Sequence, residues 1–120
     1  MSENGFKELR EIHELDELVG LSTDRVVILF KHSDSCGVSA RAYREMARLE
    51  QPVSIVTVQN ARPVSNEIER RFVLPHETPQ VLVVRYGKLA WSASHFQVTA
   101  DRVNRAIQEA AGEQRGHSES

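Results

Sequence analysis

Val26-Val-Ile-Leu-Phe30-Lys-His-Ser-Asp-Ser35-Cys-Gly-Val-Ser-Ala40-Arg-Ala-Tyr-Arg-Glu45-Met-Ala-Arg-Leu-Glu50 changes its hydrophobic period halfway along. The apolar run Val26 to Phe30, mostly β-branched or aromatic, suits a strand covered on both faces, as interior parallel strands are. The polar residues Lys31 to Ser35 are expected to end that strand. From Cys36 onward, apolar residues recur at Ala42, Tyr43, Met46 and Leu49, the three- and four-residue spacing of an amphipathic helix. The only cysteine of the chain therefore stands where a strand hands over to a helix.

The first turn of a helix leaves backbone N–H groups unpaired, and together with the helix dipole they favour a negative charge. A thiolate is such a charge, so a cysteine placed there commonly titrates below its ordinary value of about 8.5. Lys31 and His32, with the hydroxyls of Ser33, Ser35 and Ser39, are close enough in sequence to add positive charge or donors. A buried cysteine serving as a small apolar residue is the plainer alternative. Polar neighbours on both sides argue against it.

Upstream, Phe6 to Ile12 fits a short edge strand or the start of a helix, and periodicity does not separate the two. His13 to Leu21 carries Leu15, Leu18 and Val19 as a helical stripe, with Gly20 suited to closing it. Downstream, Val53 to Val58 is rich in β-branched residues and reads as a second buried strand. A strand, helix, strand unit crosses over right-handed almost always, which makes the two strands parallel. The polar loop Gln59 to Pro63 then lies at the carboxyl end of that strand, the usual ligand side of open α/β sheets. It carries Arg62, whose guanidinium is shaped to hold a carboxylate through two hydrogen bonds.

Val64 to Val73 repeats the helical pattern, opened by Pro63 or Ser65, with Ile68 and Phe72 facing inward. Pro75-His-Glu-Thr-Pro79-Gln80 precedes another apolar run, Val81 to Val84, and Thr78-Pro79 is a candidate cis peptide. Tyr86-Gly87-Lys88 is the turn of a hairpin joining Val81–Arg85 to Leu89–Ala93. Thr99 is suited to cap a last helix carrying Val103, Ala106, Ile107 and Ala110, with Gly112 ending it. The polar tail, residues 113–120, is expected to be disordered. This order describes an α/β sandwich with a mixed sheet, formed by one domain over residues 1–112.

The chain has 120 residues and a formal charge of −2, with no basic excess to attract nucleic acid. No apolar run approaches bilayer length, the N-terminus lacks a signal-peptide core, and no metal-ligand cluster appears. A cytoplasmic setting is the expectation. One cysteine forms no internal disulfide, so any redox chemistry must pass through a bond to another molecule.

Five islands, in this order, resemble the monothiol bacilliredoxin family of the bacillithiol system, within the thioredoxin-like superfamily. They are Lys31-His-Ser33, Cys36-Gly-Val-Ser39, Arg62-Pro-Val-Ser-Asn66, His76-Glu-Thr-Pro-Gln80 and Trp91-Ser-Ala-Ser-His95. The resemblance runs roughly from Phe6 to Ala110. It implies a thioredoxin-like three-layer sandwich, a central mixed β-sheet flanked by helices. It also implies a thiol-disulfide oxidoreductase that takes bacillithiol off modified client proteins onto Cys36, with bacillithiol as co-substrate and no tightly bound cofactor. A second bacillithiol or another redoxin would then restore the thiol. On the same resemblance, Lys31, His32, Ser33, Ser39, Thr78 and Pro79 would support catalysis. Arg62, Ser65, Asn66, His76, Gln80 and His95 would bind the substrate, Arg62 first among partners for the malate carboxylates. Ser39 stands where dithiol relatives carry a resolving cysteine, and Gly37 stands where family members usually have proline. The competing expectations are a thioredoxin-like adaptor in which Cys36 does no chemistry, and reduction of another substrate through one thiol, as in some arsenate reductases.

Overall fold

Alternation of apolar side chains along two adjacent strands builds the molecule, because it gives one sheet two faces to cover. The computed structural model describes residues 6–119, with side chains described through residue 112. Strands β1 (Phe6–Glu8), β2 (Val27–His32), β3 (Val53–Thr57), β4 (Gln80–Arg85) and β5 (Lys88–Ser94) alternate with helices α1 (Ile12–Leu21), α2 (Gly37–Met46), α3 (Arg62–Phe72) and α4 (Ala100–Glu119). A short 3₁₀ turn, His95–Gln97, precedes α4. The strand order is β1-β3-β2-β4-β5. β1 and β2 flank β3 in parallel, β4 runs antiparallel to β2, and β5 closes the hairpin on β4.

On one face, Ile28, Phe30, Val53, Ile55, Val81 and Val83 meet Ala42 and Met46 of α2 and Val103, Ala106, Ile107 and Ala110 of α4. On the other, Val27, Leu29, Val56, Leu82 and Val84 meet Leu15 of α1 and Val64 and Ile68 of α3. The result is the three-layer mixed-sheet sandwich that the sequence predicts. The face a residue takes is thus settled by whether its number along β2 is odd or even, and this alternation sorts the polar residues that follow.

Several boundaries differ from the sequence reading. β2 does not stop at Phe30. Lys31 and His32 stay in the ladder, paired with Val56 and Thr57 of β3, because backbone pairing on both sides outweighs the polarity of the side chains. The ambiguous Phe6 to Ile12 stretch divides into β1, a link anchored by the Leu9 N–H to the Ile55 carbonyl at 2.9 Å, and the start of α1. Gly20 lies inside α1, which Ser22 caps in helical geometry. α3 begins at Arg62 with Pro63 in its first turn, and Val73 caps it in the left-handed region at φ 51°. Gly112 does not end α4. The backbone continues helical to Glu119, since a glycine off the positive-φ region costs a helix about 0.5–1 kcal/mol without stopping it. The expectation for the tail falls where backbone alone is described as far as Glu119, and Ser120 and residues 1–5 lie outside the described residues.

Candidate active site

Cys36 is the N-cap of α2, in extended backbone geometry, with a free and partly exposed thiol. Its pKa is held below the ordinary thiol value. The largest cause is the Ser39 N–H, partial desolvation opposes it, and the Val38 N–H and the Ser39 hydroxyl add to the lowering. The two N–H groups are first-turn donors of the kind that lack intrahelical partners, so the start of the helix supplies the larger part of the stabilisation. Ser39 itself is fully buried, and its Oγ accepts the Ser33 N–H at 3.2 Å.

The loop that delivers Cys36 is held from β3. Gln59, just past β3, accepts the Asp34 N–H at 3.1 Å through Oε1. Its Nε2 donates to Ser33 Oγ at 2.9 Å and to Ser35 Oγ at 3.3 Å. In the sequence Gln59 stands out only as part of a polar loop. The signal that pointed to it was its place at the carboxyl end of β3.

His32 lies on the α2 side of the sheet, its ring 5.3 Å from that of Tyr43 and its Nε2 3.5 Å from Asp34 Oδ1. Burial pushes its pKa down, and Asp34 only partly restores it. Thr78-Pro79 is a cis peptide, as expected. The register that pairs Gln80 with Lys31 brings Pro79 to the level of His32, at the same end of the sheet as Cys36. The His95 N–H donates to the Pro79 carbonyl at 2.9 Å, and His95 Nε2 sits 3.0 Å from Glu77 Oε1. His95 adopts φ 57°, an uncommon conformation for a side-chain-bearing residue, held here by that backbone bond.

Lys31 corrects the sequence reading. As an odd-numbered β2 residue it faces α3, away from the sulfur, and it does not contribute to the thiol's lowered pKa. It is fully buried, its Nζ has no hydrogen-bond partner among the described residues, and burial lowers its pKa to about 8 against the opposing pull of Glu69 and Glu77. Its neighbour across the ladder is Gln80, whose Nε2 donates to the Pro75 carbonyl at 3.1 Å. Ser65, on the first turns of α3, is buried with its Oγ 3.4 Å from His76 Nδ1. Desolvation first, then the charges of Lys31 and Arg62, lower the His76 pKa while Glu69 and Glu77 pull it back.

The residues singled out by sequence therefore fall into two groups. His32, Ser33, Cys36 and Ser39 sit at the α2 side of the sheet end; Lys31, Ser65, His76 and Gln80 sit at its α3 side. Arg62, Asn66, His76 and His95 are exposed, whereas Ser65 and Gln80 are sealed in. Among the described residues, no three His, Cys, Asp or Glu side chains are grouped to hold a metal ion, and no helix is long and apolar enough to cross a membrane. A cavity of about 880 Å³ opens at the opposite end of the sheet, between α1 and the start of β2, and Cys36 does not line it.

A single thiol at the N-cap of a helix, at the same sheet end as a cis-proline loop, defines a thioredoxin-like protein with one cysteine. Solved structures bear out the fold: one described as having a thioredoxin fold matches with a TM-score of 0.80 at 23% identity, over 85% of this chain and 93% of that one. The thioredoxin of Fasciola hepatica matches with a TM-score of 0.71 at 14% identity, over 87% of this chain and 98% of its own. A mutant thioredoxin from Halobacterium salinarum NRC-1 matches at 0.66 and 15% identity, over 89% and 91%. Residues 7–103 match the family described as monothiol bacilliredoxin BrxC, and the chain belongs to that family. It is a redox protein of the oxidoreductase class, with one cysteine to carry the chemistry.

Proposed function

We propose that the protein removes bacillithiol, a small thiol built from cysteine, glucosamine and malate, from client proteins by taking it onto Cys36. The observation that supports this most is the accessible Cys36 sulfur, kept acidic by the Val38 and Ser39 N–H groups in a chain with no other cysteine. In the first step the Cys36 thiolate attacks the bacillithiol sulfur of a client mixed disulfide. The new Cys36–bacillithiol disulfide forms as the client disulfide breaks, and the client leaves as a thiolate that takes a proton from water. In the second, the thiolate of another bacillithiol, or of a separate redoxin, attacks that mixed disulfide. Cys36 thiolate is released and a new disulfide forms on the attacking thiol. Each exchange conserves the total of disulfides, so no further oxidant enters.

Arg62 and Asn66, one helical turn apart on exposed α3 surface, and His76 beside them are our choice for the malate carboxylates. Arg62 makes no ion pair among the described residues, so its fork is available to a ligand. Ser65 and Gln80, being buried, would act by holding His76 and the loop before β4. Thr78-Pro79 and His95 would border the bound disulfide from the other side. The clients, the regenerating redoxin and a cytoplasmic setting belong to this same reading.

The test uses a purified client carrying bacillithiol. Cys36→Ser should abolish transfer. Arg62→Ala should slow transfer at least tenfold while leaving the iodoacetamide reactivity of Cys36 within twofold. A Cys36→Ser variant that still clears the client, or an Arg62→Ala variant that loses transfer from bacillithiol and from a thiol lacking carboxylates to the same degree, would overturn the assignment.

A further inference from the structure

We infer that Gln59 is a positioning residue for Cys36: its amide ties β3 to the Ser33–Ser35 loop and, through the Ser33 backbone, aims the Ser39 hydroxyl at the sulfur. Every link as far as Ser39 Oγ has a defined donor and acceptor. The Asp34 N–H donates to Gln59 Oε1 at 3.1 Å, which fixes the orientation of the amide and turns Nε2 toward the two serines. Nε2 then donates to Ser33 Oγ at 2.9 Å and Ser35 Oγ at 3.3 Å. Ser33 Oγ also receives the Ser35 N–H at 3.4 Å, so the turn before Cys36 is bonded both within itself and to β3.

The next link reaches the first turn of α2. The Ser33 N–H donates to Ser39 Oγ at 3.2 Å. A serine hydroxyl has one proton and two lone pairs. With an amide occupying the acceptor side, the proton is left for Cys36, and the Ser39 hydroxyl is indeed one of the groups that stabilise its thiolate. Ser39 is fully buried and Ser33 nearly so, so water cannot easily replace a lost bond at that position. Gln59 is exposed, which separates it from the core. Removing its amide releases the loop without opening a cavity.

The consequence is that the acidity of Cys36 depends on a residue in the turn that follows a different strand, reached only after twenty-odd residues of intervening chain. The inference concerns the sulfur itself and stands apart from which small thiol it carries.

The experiment is the rate of Cys36 alkylation by iodoacetamide, followed against pH in the full chain for the parent, Gln59→Leu, Ser39→Ala and the double variant. Gln59→Leu should move the midpoint up by about half a pH unit or more, as loss of a donor to a charged form does. In the double variant the shift should fall short of the sum of the single shifts, because both substitutions break one chain of bonds. An unmoved or lowered midpoint in Gln59→Leu overturns the inference, and so does a double variant whose shift reaches the sum. Should Gln59→Leu fold poorly, Gln59→Asn carries the same cycle: its amide is one carbon too short to span Asp34 and Ser33 together, and the same two outcomes apply.

Discussion

Lys31 on β2 and Gln80 on β4 are partners across the antiparallel ladder, and each leaves a buried polar atom, Nζ and Oε1, without a hydrogen-bond partner among the described residues. Cross-strand neighbours on one face have Cβ atoms about 5 Å apart, so these two groups share one polar compartment beneath α3. Around it stand Glu69 of α3, with His76 and Glu77 of the loop before β4. A buried ammonium without a close counter-ion is a cost to the folded state.

Replacing Lys31 by an apolar residue of similar length should therefore stabilise the fold. The folded-state pKa is depressed to about 8, whereas an unfolded lysine titrates near 10.4. Between those values the unfolded chain binds more protons, so this group makes stability rise with pH from about 8 to about 10.4. Lys31→Met should be more stable than the parent at pH 7 by up to about 3 kcal/mol and should lack that rise. Urea unfolding at pH 7 and at pH 9.5 checks both. Equal pH slopes in the two proteins, or a less stable Lys31→Met at pH 7, would contradict the picture.

Gly37→Pro should stabilise the protein by about 0.5–1 kcal/mol with little effect on thiol acidity. Gly37 is the first residue of α2, where proline is favoured, and a Cβ there meets nothing within 4 Å. Cys36 has φ −119° and ψ 126°, the extended geometry a residue before proline prefers. The groups that lower the thiol's pKa are the Ser39 and Val38 amides and the Ser39 hydroxyl, so losing the N–H at position 37 removes none of them. A thermal melt should rise by a few degrees, and the alkylation midpoint should hold within a few tenths of a pH unit. A large upward midpoint shift would mean that the Gly37 amide also serves the sulfur.

Val73→Gly should stabilise the chain by about 1 kcal/mol. Val73 caps α3 at φ 51° and ψ 51°, where a β-branched side chain is strained by about 1–2 kcal/mol and glycine is not. The side chain is 87% exposed, so its removal gives up almost no burial. Chemical denaturation at neutral pH measures the gain; a loss would show that the strain is compensated elsewhere.

Glu45 links two elements, its Oε1 accepting the Ala100 N–H at 2.9 Å where α4 begins. That bond is the largest cause of a carboxyl pKa below its ordinary value, with Arg48 and Arg41 adding to it. A depressed folded-state pKa gives stability that is present above the unfolded value and lost as pH falls through the folded one. Glu45→Gln should therefore cost about 1 kcal/mol at pH 7 and progressively less as the pH falls below the ordinary carboxyl range. A difference that persists unchanged at pH 3 would assign the loss to packing instead.

The layers and the thiol at the head of α2 were legible because each depends on local pattern, hydrophobic period and the unpaired amides of a helix start, whereas Thr78-Pro79 was by itself only a candidate cis peptide that the family resemblance strengthened. What was not legible depends on alternation and on partners distant in sequence. Lys31 and His32 are adjacent in the chain and looked equally close to Cys36, yet they lie on opposite faces of β2. Gln59 acquired its role only when β3 was laid beside β2. Polarity at Lys31 marked the approach to the site and was misread as the end of the strand. Ser65 and Gln80 carry the substrate-facing residue types of the resemblance but are enclosed by the α3 turn and the Pro75 carbonyl.

The three-residue strand Phe6–Glu8 lies along the outer side of β3, whose Val53-Ser-Ile-Val-Thr57 is rich in β-branched side chains. The ladder with β3, the Leu9 N–H to Ile55, the Asn60 amide to Glu8 and the packing of Phe6 against Tyr43 and the core keep it there. Peeling it away would leave the rest of the sandwich folded and uncover a β-rich rim open to any passing strand. Shortening the chain to residue 9 should thus reveal itself first as turbidity on concentration, well before circular dichroism or melting registers any damage.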